Sequence, residues 1–538
     1  MWLNAAAVGV SITAVLGLLL LIGSRGMAHF WPKAVLEITY VEESGNTTVL
    51  GELADTEVIL ASQYHESAAG SDAAVGEEVE RWLIKTGNRR LAPPDFRWLF
   101  AHRIASVRMP PEVVVIERTE WGNAYGRIAD VRESGEVVAS GEQTREALER
   151  ALDRVEMLRG QIRELERGSI NGINYELERV RLERRRLDLA AVEDAPTAAA
   201  IDARERELDA RYEAVEARLR SLHEELSRDS LSLILIDGRT EPMNLATVLR
   251  VWQPNAMSLS RKLMHYAGSF WAFLTEDPRE ANTEGGIFPA IFGTVMMVLL
   301  MSVIVTPFGV IAALYLREYA RQGVFVRLIR IAVNNLAGVP SIVYGVFGLG
   351  FFVYFLGGSL DALFFPEALP APTFGTPGLL WASLTLALLT VPVVIVSTEE
   401  GLSRIPRALR EGSLALGATK AETLFRVVLP MASPSILTGT ILAVARAAGE
   451  VAPLMLVGVV KLAPTLPLDG NFPFIHLERK FMHLGFHIYD VGFQSPNVDA
   501  ARPLVYATAL LLVLIIVTLN LTAILLRNRL ETRYRAVE

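Results

Sequence analysis

Six long apolar stretches dominate the hydrophobic pattern of the 538-residue chain. A membrane-spanning helix needs about 20 mainly apolar residues, because the hydrocarbon core is about 30 Å thick and a helix rises about 1.5 Å per residue. The stretches that meet this requirement are residues 3–23, 288–316, 331–356, 379–397, 436–459 and 504–526. The pattern therefore predicts one leading span, a large polar insert and a block of five spans.

The leading stretch could be a cleaved signal peptide or an uncleaved anchor. No Lys or Arg precedes its apolar part, the apolar run is longer than that of a usual signal peptide, and no clear small-x-small site follows it. We therefore expect residues 1–24 to be an N-terminal transmembrane anchor.

Residues 25–287 combine strand-like and helix-like patterns. Segments 34–60 and 98–131 and the run LSLILID at 231–237 are rich in β-branched residues and predict a small sheet. Between about 142 and 229, apolar residues recur at alternating steps of four and three, which is typical of a coiled coil. They are Leu148, Leu152, Val155, Leu158, Ile162 and Leu165, and then Leu208, Tyr212, Val215, Leu219, Leu222 and Leu226. The break EDAPTAAA at 193–200 predicts a hairpin of two helical arms.

Arginines in the short loops predict the orientation. The loop 317–330 and the tail 527–535 each carry four arginines, whereas the loop 357–377 has no Lys or Arg. Because short cytoplasmic loops are enriched in positive charge, both termini and the loop 399–426 are predicted to be cytoplasmic, and the insert extracytoplasmic. Arg25 and Lys33 fit this assignment poorly, but long translocated domains are largely exempt from the rule.

Composition agrees with a membrane protein that also has an aqueous part. The chain is 51% hydrophobic, with a mean hydropathy of +0.32, and its formal net charge of -8 argues against a general nucleic-acid binder. It has no cysteine, so a disulfide framework and a thiolate metal site are excluded. His483 and His487 are four residues apart, but Gly485 lies between them and no third ligand is evident, so we expect no metal site.

The segment REGSLALGATKAETLFRVVLP at 410–430 alternates charged and apolar residues and is interrupted by Gly417. It predicts two short amphipathic helices on the cytoplasmic side. An exposed apolar helix face of this kind needs a protein partner to cover it. The loop is therefore predicted to be a docking site.

This segment resembles the EAA loop of ABC importer permeases, which fits into a cleft on a cytoplasmic ATPase subunit. Segments 318–349, 398–420 and 445–458 are also similar to PstA-type permeases of phosphate importers. The loop residues that carry the resemblance are Glu411, Gly412, Ser413, Gly417, Leu429 and Pro430. The resemblance covers roughly 288–530 and implies a permease domain there, with its coupling loop at 399–430 and a cytoplasmic tail at 531–538.

The resemblance implies a mainly α-helical, polytopic permease of six spans in the bacterial cytoplasmic (inner) membrane, with an extracytoplasmic α+β domain. Its implied cargo is inorganic phosphate. The implied partners are a PstC-like second permease, a PstB-like ATPase dimer that uses ATP and Mg²⁺, and a PstS-like phosphate-binding protein. The chain has no Gly-Lys dipeptide and therefore no Walker A loop. We expect a non-catalytic subunit without a cofactor of its own and without a nucleic-acid partner.

The apolar stretch 438–458 contains Arg446 and Glu450. A charge at the bilayer centre costs roughly 2.5–3.5 kcal/mol on insertion scales, so both groups need compensation. Residues four apart share a helix face and can form a self-neutralised structural pair. The resemblance favours a substrate pathway instead, in which Arg446 binds phosphate oxygens and Glu450 holds the guanidinium.

Four prolines lie within the predicted spans: Pro307, Pro340, Pro392 and Pro453. Each is expected to remove a helix hydrogen bond and to create a kink. They are candidate hinges for transport, or they shape static helix packing.

Three classes of function remain open from the residues alone. The first is a permease subunit, whose cargo by charge alone could be phosphate or another oxyanion. The second is a membrane sensor with a coiled-coil ectodomain, and the third is an envelope scaffold. The sensor would need a cytoplasmic signalling output, and the predicted cytoplasmic parts are only short loops and a tail, whereas the scaffold would leave the docking loop without a purpose.

Overall fold

The computed structural model describes residues 2–42, 45–60, 78–90, 94–191, 195–495 and 498–535. They form two compact units. The membrane unit comprises residues 1–29 and 273–538 and begins with helix α1 (Trp2–Ala28). The insert unit comprises residues 30–272.

The insert unit contains two antiparallel sheets. The first has the strand order β4-β3-β2-β1-β5, and the second has the order β10-β9-β7-β6-β11, with β8 paired to β7. The strands are β1 (Val35–Glu42), β2 (Gly45–Leu60), β3 (Glu78–Lys85), β4 (Phe96–Phe100), β5 (Ile104–Arg108), β6 (Val114–Arg118), β7 (Ala124–Glu133), β8 (Glu136–Ser140), β9 (Asp229–Ile234), β10 (Thr240–Asn244) and β11 (Val248–Trp252). Alternate residues Leu36, Ile38 and Tyr40 of β1 are buried together, as the period of two predicts.

The predicted strand segments are incomplete, because they omit β3, β8, β10 and β11. β3 contains Glu78, Glu80 and Arg81, and the other three strands have only five residues each. Such sequences are not typical of isolated strands. Their hydrogen bonds to neighbouring strands, such as those of β3 to β2 and β4, define them instead.

Helices occupy both predicted arms of the hairpin. They are α2 (Thr144–Glu164), which continues through a π-helical turn into α3 (Asn171–Ala190), and α4 (Ala195–Leu226), which runs back; α5 (Leu259–Thr275) follows later. Ala191 adopts a left-handed conformation that ends α3. The predicted break at 193–200 lies partly outside the described residues, and α4 already begins at Ala195, so most of the break is helical.

The apolar residues of the two arms belong to separate cores. Near the sheets, Leu148 and Val155 of α2 and Leu222 of α4 pack with the strand residue Leu233. Farther away, a second cluster joins α3 to α4; its buried members are Ile173, Val180, Ile201 and Leu208. The two helical arms on either side of the break are present as predicted, but α2 also packs on a sheet, and the coiled-coil pairing of the arms over 142–229 stays a prediction.

The membrane unit has, among the described residues, six helices that are long and apolar enough to cross a membrane, spanning Asn4–Ala28, Phe288–Tyr319, Ser341–Phe364, Leu379–Arg404, Lys420–Gly449 and Ala501–Arg529. After α1, the helices of this unit are α6 (Phe288–Leu314), α7 (Val324–Leu336), α8 (Ser341–Phe347), α9 (Gly358–Phe364), α10 (Leu379–Arg404), α11 (Arg407–Ala415), α12 (Lys420–Thr423), α13 (Leu429–Gly449), α14 (Leu454–Val457), α15 (Leu484–Phe493) and α16 (Val498–Arg535). The prediction of a six-span, mainly α-helical permease core is confirmed.

Two predicted spans are interrupted in the structure. Within 331–356, α7 ends at Leu336 and α8 begins at Ser341. Within 436–459, α13 ends at Gly449 and α14 begins at Leu454. In both cases a proline precedes the new helix, which is the position where its missing N–H is tolerated.

α10 is the central helix of the membrane unit and packs between α6 and α13. Glycines allow these helices to approach closely: a Cβ added at Gly309 would lie 2.6 Å from Val394, and one added at Gly439 would lie 2.7 Å from Ser397. Small residues are the usual means of close helix packing in lipid. The leading span joins the bundle as well, because a Cβ at Gly26 of α1 would lie 2.9 Å from the carbonyl oxygen of Tyr506 on α16.

Candidate functional site

The segment 399–430, here called the coupling loop, begins in the last turns of α10 and contains α11 and α12. Gly417 separates these two helices with a φ of +88°. The amides of Gly417 and Ala418 donate to the carbonyls of Leu414 (3.0 Å) and Ser413 (3.3 Å), which is the hydrogen-bond pair of a Schellman motif. Thr419 then caps α12 and forms a capping box with Glu422. The predicted helix-glycine-helix geometry is present, and local hydrogen bonds fix it.

One side of the coupling loop is apolar and exposed. Leu416 is 91% exposed, and Leu414 and Phe425 are exposed as well. On the other side, Leu424 and Val428 are buried in a core with α6 and α10. The loop is thus anchored on one side and presents an apolar surface on the other, which is typical of a protein interaction site.

The residues that carry the EAA resemblance occupy different parts of this loop. Glu411 and Gly412 lie exposed on α11, and a Cβ at Gly412 would meet nothing within 4 Å. The hydroxyl of Ser413 lies 2.9 Å from that of Thr423 and joins α11 to α12. The Leu429-Pro430 pair begins α13 and is half-buried.

Arg446 and Glu450 lie close together, but not as the sequence predicts. α13 ends at Gly449, and Glu450 has an extended backbone with φ −82° and ψ 131°, so the two residues do not share a helix face. The Nε of Arg446 lies 3.8 Å from a carboxylate oxygen of Glu450, with 33% and 22% of the side chains exposed. This distance is too long for a hydrogen bond, so the contact is electrostatic. The pair lies at the end of a span, partly accessible.

Tyr344, in the first turn of α8, makes a contact across the break between α7 and α8 that sequence analysis missed. Its hydroxyl donates to the carbonyl of Leu336 at 2.7 Å, across the break between α7 and α8. The next residue, Gly345, permits close packing, because a Cβ there would lie 2.7 Å from the Cα of Pro453. A tyrosine one turn after a proline break is the only local signal for this arrangement.

The four candidate hinges fall into two groups. Pro307 and Pro392 lie inside α6 and α10, where each removes a helix hydrogen bond. Pro340 and Pro453 precede α8 and α14, where the missing N–H would have no helical acceptor anyway. The prediction of a kink within one helix is therefore wrong for this second group. Sequence analysis also missed Pro434, which lies inside α13.

His483 and His487 are buried at the start of α15. His483 accepts a hydrogen bond from the amide of Gly485 at 3.1 Å through its Nδ1, and burial lowers the pKa of both imidazoles to about 4. Both rings are therefore neutral near pH 7. Over the part of the chain that the structure describes, no group of three or more His, Asp or Glu side chains could hold a metal ion.

Comparison with known proteins gives a family match within the membrane unit. A family model described as "Binding-protein-dependent transport system inner membrane component" matches residues 305–536. The chain is 36% identical over 203 residues to the phosphate transport system permease protein PstA of Mycobacterium leprae, a match covering 38% of this chain and 61% of that protein. It is 33% identical over 246 residues to PstA 1 of Mycobacterium tuberculosis (strain CDC 1551 / Oshkosh), covering 45% and 71%, and 33% identical over 262 residues to PstA of Yersinia pestis, covering 48% and 77%.

Among solved structures, the chain is similar to the MetNI methionine ABC transporter in an inward-facing conformation, with a TM-score of 0.32 and 19% identity. That match covers 45% of this chain and 96% of the other. A bacterial ABC transporter that imports the acidic polysaccharide alginate matches with a TM-score of 0.33 and 14% identity, covering 45% and 78%. Both likenesses are distant.

Proposed function

Because the chain belongs to the PstA-type permeases of the binding-protein-dependent transport system family, we propose that it forms half of the membrane pore of an ATP-driven importer of inorganic phosphate. The observation that carries this proposal is the coupling loop, a short helical projection held by a Schellman motif and a capping box. Its exposed apolar side suits an ATPase cleft. A sensor or an envelope scaffold would leave this surface without a purpose.

The other subunits supply what this chain lacks. A PstB-like ATPase dimer binds ATP and Mg²⁺, closes on ATP binding and moves the coupling loop. A homologous PstC-like permease provides the other half of the pore, and a PstS-like protein delivers phosphate from outside. Since this chain has no Walker A loop, ATP is hydrolysed by the ATPase subunits, and the permease subunit is not itself an enzyme.

Arg446 is the residue that we assign to phosphate. Its planar guanidinium can donate two parallel hydrogen bonds to phosphate oxygens, and one third of the side chain is exposed. Glu450, at 3.8 Å, orients the guanidinium and lowers its affinity for phosphate enough to allow phosphate release. Its carboxylate can also accept a hydrogen bond from a P–OH group, which sulfate lacks near neutral pH. Another oxyanion as cargo is the alternative within the same mechanism.

The test is reconstitution of the four kinds of subunit in proteoliposomes. Radiolabelled phosphate should accumulate only with internal ATP, the external binding protein and the ATPase subunit all present. Excess unlabelled phosphate should compete, whereas sulfate and a phosphonate should compete far less. If the chain does not co-purify with an ATPase, the permease assignment fails; if sulfate competes as well as phosphate does, the cargo assignment fails.

The absence of native cysteine makes the proposed orientation directly testable. Leu189→Cys in the insert unit and Arg321→Cys in the loop between α6 and α7 both lie at exposed positions. With the insert extracytoplasmic and the termini cytoplasmic, a membrane-impermeant maleimide should label the first variant in spheroplasts and the second only after permeabilisation. The reverse pattern would contradict this topology.

A further inference from the structure

A charged network holds the end of α6 that lies beside the coupling loop. α6 continues as a π-helical turn, Tyr315–Tyr319, which contains Glu318. A carboxylate oxygen of Glu318 lies 3.1 Å from a terminal nitrogen of Arg410 on α11, and only 14% and 19% of these side chains are exposed. The pair is therefore largely shielded from water and salt.

Arg410 also binds the end of α10. Its guanidinium donates to the carbonyls of Leu402 at 2.7 Å and Ile405 at 3.3 Å. A guanidinium carries five N–H donors in a rigid fork, so it can hold a carboxylate and two carbonyls at once. Arg410 thus joins α6, α10 and α11 through one side chain.

Lys420 reaches the same turn from the other helix of the coupling loop. Its ammonium group donates to the backbone carbonyl of Glu318 and lies 4.4 Å from the ring centroid of Tyr319. Both helices of the coupling loop are therefore attached to the end of α6. A movement of either one would pull on this turn.

The π-helical turn Tyr315–Tyr319 is also linked to α7. Arg330 on α7 donates to the carbonyl of Leu316 at 3.4 Å and to the side chain of Gln322 at 3.1 Å, and its Nε lies 3.3 Å from Glu399. A cavity of about 120 Å³ lies here, lined in part by Leu316, Arg330 and Glu399, and gives these side chains room to shift. At the far end of α7, the hydroxyl of Tyr344 donates to the carbonyl of the last residue of the helix, and the adjacent Gly345 packs against Pro453, three residues after Glu450.

On the basis of the proposed function, we propose that Glu318 and Arg410 are positioning residues that transmit movement of the coupling loop to α6 and, through α7, to the region of Arg446. Buried ion pairs can often be replaced by apolar residues without loss of stability. A folding role alone therefore explains this pair poorly. A role in coupling explains why the same turn also receives Lys420 and Arg330.

The test measures phosphate imported per ATP hydrolysed in reconstituted complexes at matched amounts of assembled protein. Glu318→Arg should lower this ratio roughly tenfold or more, because like charges then face each other in a shielded site, and Glu318→Gln should lower it less. The charge-swapped variant Glu318→Arg/Arg410→Glu should recover only part of the loss, because a glutamate at position 410 cannot donate to the carbonyls of Leu402 and Ile405. Arg321→Glu is the matched control, since it changes a charge at an exposed position three residues away, and it should leave the ratio unchanged.

An unchanged ratio in both single variants would overturn the proposal. Loss of assembly with a normal ratio in the assembled fraction would also overturn it, since that is the outcome of a purely structural pair. Wild-type complex that hydrolyses ATP without importing phosphate would instead contradict the proposed function.

Discussion

Gly417 is the position where the structure makes the sharpest prediction about coupling. Its φ of +88° lies in the left-handed region, and a Cβ added there would meet nothing within 4 Å. Gly417→Ala therefore changes the backbone energy of the turn without a steric clash or a lost side-chain contact. Gly412, five residues earlier in α11, also has open space around a Cβ but lies in an ordinary helical conformation.

The expected cost follows from backbone strain. A residue with a Cβ in the left-handed region costs roughly 1–2 kcal/mol, and Asn tolerates this region better than other residues do. A penalty of this size lowers the ratio of formed to unformed turn by a factor of roughly 5–30. Gly412→Ala should instead stabilise α11, because alanine favours a helix interior over glycine by about 1 kcal/mol.

The assay is titration of the purified ATPase subunit against the permease complex in nanodiscs, together with ATP hydrolysis stimulated by the external binding protein. The affinity should fall for Gly417→Ala, by at most about 5–30-fold, and less for Gly417→Asn, because only the formed turn docks. Gly412→Ala should bind at least as well as wild type. Equal affinity of Gly417→Ala and wild type would refute the view that this turn presents the loop to the ATPase.

Arg446→Lys keeps the charge but loses the planar fork, so it should strongly reduce radiolabelled phosphate uptake at matched membrane levels. Normal uptake in Arg446→Leu/Glu450→Leu would show that the two residues contribute only to packing. Deletion of residues 171–213 should leave uptake by the reconstituted complex largely intact, because that part of the hairpin has its own core, and loss of uptake in an assembled complex would place it in the transport path. The membrane unit should be most stable above about pH 6.5 and lose stability as the pH falls towards 4. The reason is that His483 and His487 bind protons more readily in the unfolded state, so each lowers the free energy of unfolding by an amount of order 3 kcal/mol over this range. Replacing both histidines by glutamine should make the melting temperature nearly independent of pH between pH 6.5 and 5. If the melting temperature of this variant still falls with pH as in the wild type, the two histidines are not the cause.

The amino-acid sequence determines the features that depend on neighbouring residues. The six spans are evident because crossing a bilayer requires a long uninterrupted apolar run. The helix-glycine-helix shape of the coupling loop is equally local, since Gly417 supplies the left-handed turn and Thr419 and Glu422 cap the next helix.

Tertiary structure decides the features that depend on contacts between distant residues. An apolar run does not reveal that α13 stops at Gly449, so the conformation of Glu450 requires the folded bundle. The approach of Gly345 to Pro453, and of Glu318 to Arg410, joins residues about one hundred positions apart in the chain. Periodicity and composition describe one segment at a time, whereas packing around α10 selects which segments meet, and that packing places the candidate site and its link to the coupling loop.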